Sequence, residues 1–184
     1  MLNKLDLTFI DEVDNPSVEF FIDNYESKGI PCIIKNHPLD WNAFEWRGSE
    51  LCISGNEGFI RYMQQSTPYV AQKEPSSSNE GSAYYLKIDI PKELEGDYSV
   101  PDYFKDAGTQ PKGWRWAYWG PTGVGTSLHV DLFDSHAWLV LLTGCKLWRI
   151  FYNDKEYAAI QKPGEIMYTP KNLLHSVINI EESI

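Results

Sequence analysis

The chain has 184 residues, a hydrophobic share of 42% and a formal net charge of -10. That length suits one domain with its own core. The acid excess disfavours direct binding to nucleic-acid phosphates and favours a basic partner such as a Lys- or Arg-rich peptide, with plain solubility as the competing explanation.

Taken in order, the N-terminal run MLNKLDLTFIDEV carries acidic residues where a secretory leader needs a long apolar stretch. A helix is predicted over residues 16–28, with Asn15 as N-cap, Pro16 at the first helical position and Gly29 just past the end. Val18, Phe21, Ile22 and Tyr25 would form its buried face. IPCIIK (30–35) reads as a buried strand. A weaker helix is predicted over 57–65, with Phe59, Tyr62 and Met63 on one side. Residues 66–82, rich in Ser, Pro and Glu, read as a surface loop. AYYLKIDI (83–90) has strand character.

From Trp114 onward the segments WRWAYWG, SLHVD, AWLVLLTG, KLWRIF, GEIMYTP and HSVINI read as short strands separated by turn residues. Helical periodicity is absent from this half, and many short strands suggest a barrel or sandwich. The expected fold class is α+β, mainly β. It is one domain over 1–184, with flanking helices and strands in 1–113 and the barrel core in 114–184. No apolar stretch approaches membrane-spanning length. Cys32, Cys52 and Cys145 are widely spaced and odd in number, which points away from disulfides or a zinc knuckle. A reducing compartment, cytoplasmic or nuclear, is the expectation.

Chemistry concentrates in the strand-rich half. The four histidines are His37, His129, His136 and His175. His129 and Asp131 are two apart, and strand residues at i and i+2 share a face, so both can meet one metal ion. His175 would complete a two-histidine-one-carboxylate set, the arrangement that marks non-haem Fe(II) oxygenases with coordination positions left open. A bare His-x-Asp is a weak signal on its own. His37 and His136 read as ordinary surface or core histidines. Asp134 could compete with Asp131 as ligand, although a turn role suits it better. Lys146 opens an otherwise apolar strand. Either it points inward and needs an anion, or it sits at a strand edge in solvent. Thr126, three residues before His129, could add a hydroxyl. GPTGVGTS (120–127) lacks phosphate-loop spacing and reads as a turn bringing backbone close to the metal mouth.

These motifs resemble the JmjC-domain oxygenases. WGPTGVGTSLHVDLFDSHAWLVLLTGCKLWRIF (119–151) is similar to their central segment, and IQKPGEIMYTPKNLLHSVIN (160–179) to the segment with the distal histidine. IPCIIKNHPLDWNAF (30–44), YYLKIDI and DYSVPDYF (97–104) extend the likeness from about residue 20 to the end. The small JmjC protein hydroxylases, including lysyl hydroxylases, are the nearest in pattern. The resemblance implies a double-stranded β-helix (jelly-roll, cupin-like) with His129, Asp131 and His175 as iron ligands. It places Lys146 on the distal carboxylate of 2-oxoglutarate, with Thr126 assisting and Asn179 near the co-substrate.

Leu139 stands where such hydroxylases often carry Asn. Only 44 residues separate Asp131 from His175, so a compact barrel is expected, with the family's last strand lacking. The implied activity is Fe(II)- and 2-oxoglutarate-dependent hydroxylation of a Lys or Arg side chain in a basic protein. N-methyl-lysine demethylation, a cupin with other metal chemistry and a non-catalytic binding module are the alternatives. Trp119, Trp138 and Trp148 could wall the cavity or simply pack the core.

Overall fold

A computed structural model describes residues 8–46, 86–89, 95–105, 115–131 and 134–184; the helix expected over 57–65 and the loop over 66–82 lie outside the described residues. The first strand, β1 (Asp11–Asp14), is acidic and was not anticipated; it pairs in parallel with β2 (Cys32–Lys35). Between them the expected helix is shorter and differently wound. A turn of α-helix, α1 (Val18–Phe21), passes into a π-helical turn over Ile22–Glu26. Ser27 N–H and Ile30 N–H reach back five residues to the carbonyls of Ile22 and Tyr25.

The cap is Ser17, whose hydroxyl accepts from Phe20 N–H at 3.1 Å, and not Asn15. Asn15 is in the left-handed region (φ 35°), and its side-chain oxygen accepts from the Tyr103 hydroxyl instead. Gly29 ends the helical segment at φ 62°, as the sequence suggested. The wide turn stacks the Phe21 and Tyr25 rings, with centroids 6.2 Å apart, and leaves Ile22 39% exposed.

The remaining strands are β3 (Leu86–Asp89), β4 (Trp116–Trp119), β5 (Gly125–His129), β6 (Ala137–Val140), β7 (Lys146–Tyr152), β8 (Lys155–Gln161), β9 (Ile166–Thr169) and β10 (Leu174–Asn179). Strand β8 escaped the sequence reading. It returns from β7 through Asn153 and Asp154, both at positive φ (49° and 58°), the conformation a two-residue hairpin turn demands. One four-stranded sheet runs β1-β2-β9-β6, the other β5-β10-β7-β8, and β3 pairs with β4. The protein is therefore mainly β, and among the described residues helix is sparser than expected.

Alternation places the core. In β2, Ile33 faces the second sheet and packs with Trp148, Ile150, Met167 and Val177. Cys32 and Ile34 face the other way, against Phe21, Tyr25, Tyr103 and Phe104. The inner strands of the first sheet are thus covered on both faces, which explains the apolar runs of β2, β6 and β9, whereas β1 at the edge is acidic and exposed. The second sheet is buried on one face only; Leu174 and Ile178 on its outer side are exposed. The chain closes both flanks. Thr8 and Ile10 hydrogen-bond to Ala158 of β8, Ser183 to Gly120 just past β4, and Ile184 to Leu142 just past β6.

Candidate metal centre

The inner face of the second sheet carries the polar residues. Strand β10 lies between β5 and β7, and His175 is the register partner of His129 on one side and Ile150 on the other. Directly opposed antiparallel residues project from the same face, so both imidazoles enter the same space, with ring centroids 4.4 Å apart. Asp131 lies two residues past the end of β5. Donor atoms of His129, Asp131 and His175 all fall within 4.8 Å of one another, the grouping expected from the sequence.

Both rings are fixed in the orientation a metal requires. Nδ1 of His129 lies 2.7 Å from the Ser127 carbonyl, and Nδ1 of His175 lies 3.0 Å from the Leu173 carbonyl. A backbone carbonyl only accepts, so each Nδ1 carries the proton and each Nε2 lone pair is free to coordinate. Nε2 of His129 then faces Asp131 Oδ1 at 3.4 Å, lone pair towards carboxylate, unless a proton or cation lies between them. The Asp131 carboxylate accordingly pushes the His129 pKa up, while burial pulls that of His175 down. A divalent cation relieves both conflicts, and two nitrogens with one carboxylate oxygen form the set that suits Fe(II) with open positions. The residues present fit the ion.

Lys146 resolves the alternatives left open by the sequence: it points inward and is 1% exposed. Its Nζ donates to Asn179 Oδ1 at 2.6 Å, and burial draws its pKa down to about 8. Asn179 Nδ2 donates to the carbonyls of Gly120 and Pro121 at 3.0 and 3.3 Å. The amide thus ties the lysine to the glycine-rich turn.

Thr126 is three residues from His129, a spacing that in a regular strand puts the two on opposite faces. Here β5 bulges against β10, so that Thr126 opposes Val177 and His129 opposes His175, and both share the inner face. Gly125 explains how: a Cβ there would lie 1.9 Å from the Val177 carbonyl oxygen. The lead-in therefore serves close strand contact as well as the turn at Gly123 (φ 87°).

Other candidates are placed elsewhere. Asp134 accepts from Asn172 and pairs with Lys171 at 3.5 Å, outside the triad. His136 meets the Tyr168 hydroxyl, and His37 meets Asn15. Of the three tryptophans, Trp148 lies 5.8 Å from the His175 ring, Trp138 stacks on Phe104 behind the first sheet, and Trp119 packs beside the cluster containing Trp46 and Ile184.

Gln161 was missed. It is fully buried, is the register partner of Lys146, accepts from Trp148 Nε1 at 3.0 Å and donates to the carbonyls of Leu139 and Glu165. A polar residue on the inward parity of KEYAAIQ was its signal, readable only once the β7–β8 register is known.

Fold and site together define a mainly-β protein with a preformed two-histidine-one-carboxylate cluster. No family model matches the chain. The chain is 26% identical to an arginine-specific demethylase of Arabidopsis thaliana, over 95% of its own length and 44% of that protein. It is also 26% identical to a bifunctional arginine demethylase and lysyl-hydroxylase of Caenorhabditis elegans (93% and 58%). A 2-oxoglutarate and iron-dependent oxygenase of Mus musculus is 23% identical over 59% of the chain and 36% of that protein. The chain spans about half the length of the first two. The resemblance to JmjC oxygenases read from the motifs is upheld by these relatives.

Proposed function

We propose that the chain is an Fe(II)- and 2-oxoglutarate-dependent dioxygenase that hydroxylates a Lys or Arg side chain of a basic protein. The observation that carries this reading is the convergence of His129, Asp131 and His175, with both Nδ1 protons committed to backbone carbonyls. In this reading the two sheets form the double-stranded β-helix, 1–184 acts as one domain, and the work is done in the cytoplasm or nucleus. His129, Asp131 and His175 hold the iron. When bound with its co-substrate, the metal supplies O2 activation coupled to the conversion of 2-oxoglutarate to succinate and CO2, one oxygen atom entering the substrate C–H bond.

The chain's own residues do the rest. Lys146 presents a buried cation to the distal carboxylate of 2-oxoglutarate, where low polarity strengthens the contact. Asn179 holds Nζ in place, and Thr126, on the same face, supplies a hydroxyl. Trp148, locked by Gln161, covers one side of His175 and keeps water away. The net charge of -10 supports a basic substrate. The relatives named as arginine demethylases support a second reading, N-methyl removal, which starts from the same C–H oxidation.

Anaerobic titration with Fe(II) and 2-oxoglutarate tests the site: a weak visible charge-transfer band is expected, and its absence in the wild type refutes the reading. Lys146→Ala should lower 2-oxoglutarate affinity at least 10-fold, the loss of a charge-assisted contact of about 1.5–3 kcal/mol. Unchanged affinity would remove the lysine from its role. Mass spectrometry of lysine- and arginine-containing peptides, plain and N-methylated, separates a gain of oxygen from loss of a methyl group.

A further inference from the structure

His129 and His175 are held by a strand ladder, but Asp131 is not: β5 ends at His129, and the chain then leaves the second sheet to enter the first at Ala137. The strand ladder alone therefore does not set the position of its carboxylate. The described part of this connection is anchored twice. The Asp134 carboxylate accepts from Asn172 Nδ2 and pairs with Lys171 Nζ at 3.5 Å. Two residues on, His136 Nδ1 lies 2.6 Å from the Tyr168 hydroxyl, the two rings nearly parallel (12°) with centroids 5.9 Å apart.

Both anchors end on the same short stretch, Tyr168 to Asn172. That stretch leads into Leu173, whose carbonyl accepts from His175 Nδ1, and into His175 itself. Tyr168 is 1% exposed and packs edge-on against Phe21, so its hydroxyl is a fixed point. The buried phenol keeps its proton and the imidazole presents Nδ1 to it, so the two side chains are joined by one hydrogen bond. Asp134 and Asn172 both adopt left-handed backbone (φ 53° and 60°), which Asp and Asn tolerate at turns.

We infer that His136 and Asp134 are positioning residues that clasp the Asp131-bearing connection to the segment delivering His175, and so set the spacing of the metal triad. The inference rests on the metal reading above. It assigns neither residue to the metal; each acts through the backbone that carries Asp131.

Co(II) is the probe, followed by calorimetric titration and by its visible d–d absorption, with thermal unfolding of the metal-free protein as a control. Tyr168→Phe removes only the hydroxyl, and His136→Leu replaces the imidazole with an apolar side chain. Each should weaken Co(II) binding about 10-fold and alter the d–d spectrum, the scale typical for groups that orient metal ligands. His136→Asn keeps a hydrogen-bonding group near the Nδ1 position and should restore both readouts towards wild type. The double variant Tyr168→Phe/His136→Leu should lose no more than either single change. Asp134→Ala should weaken binding in the same direction. Wild-type affinity and spectrum in Tyr168→Phe and His136→Leu overturn the inference while leaving the metal centre intact. No Co(II) uptake by the wild type overturns the metal centre itself, and this inference with it.

Discussion

Lys146 shows how one buried charge links stability to co-substrate. Its ordinary pKa of 10.5 falls to about 8 in the fold because burial disfavours the ammonium. Between those values the unfolded chain holds a proton that the folded chain has released, so stability rises with pH across that window. Below about pH 8 both states are protonated and the full cost is present, on the order of 3 kcal/mol. Lys146→Met should therefore stabilise the co-substrate-free protein at neutral pH and abolish that alkaline slope, as chemical denaturation at pH 7 and 10 would show. His129 gives the opposite lever. Asp131 raises its pKa above the ordinary 6.5, and metal binding needs the neutral ring. Metal affinity should climb with pH and level off only above that raised value, as Co(II) titration between pH 6 and 8 would measure.

At the scale of elements, the β5–β10 contact decides whether the site exists. Thr126 and His129 share a face only through the bulge, and the bulge requires Gly125 against the Val177 carbonyl. Gly125→Ala forces the strands apart. We expect a loss of about 1–3 kcal/mol or more, as for other overpacked sites, together with loss of Co(II) binding, checked by denaturant unfolding and titration. The β7–β8 hairpin has a comparable role for Lys146 and Gln161. Its turn residues Asn153 and Asp154 were visible in the sequence, yet the strand after them was not read. KEYAAIQ alternates only partly: Ala159 joins the core, while the neighbouring Ala158 is buried as well and pairs through its backbone with the N-terminal segment.

For the whole molecule, the first sheet is packed between the helical segment and the second sheet, so its inner residues control how closely the two sheets approach. Met167, fully buried among Ile33, Trp148 and Val177, is the test. Met167→Ala should cost about 2–5 kcal/mol by cavity formation, read as a lower midpoint in urea. A metal that binds only the folded chain should add about 2.7 kcal/mol at 100 times its dissociation constant. A chelator should therefore lower the thermal midpoint of the metal-loaded protein, while Asp131→Ala should be insensitive to it.

The amino-acid sequence alone determined the mainly-β character, offered His129, Asp131 and His175 as a candidate grouping that the family resemblance strengthened, and left open an inward anion-binding role for Lys146. Strand periodicity and the i, i+2 relation of His129 and Asp131 are local properties, which is why they are legible in the sequence. Tertiary structure alone decided which side Thr126 takes, that Asn179 bonds Lys146, that Gln161 bonds Trp148, and that Asp134 and His136 bond to Asn172, Lys171 and Tyr168 outside the triad. Each of these depends on register between strands far apart in the chain. A one-residue slip reverses every side chain in a strand, and no local pattern records it. The capping role of Ser17 belongs to the same class, because Asn15 and Pro16 are engaged by the Tyr103 hydroxyl, 88 and 87 residues away.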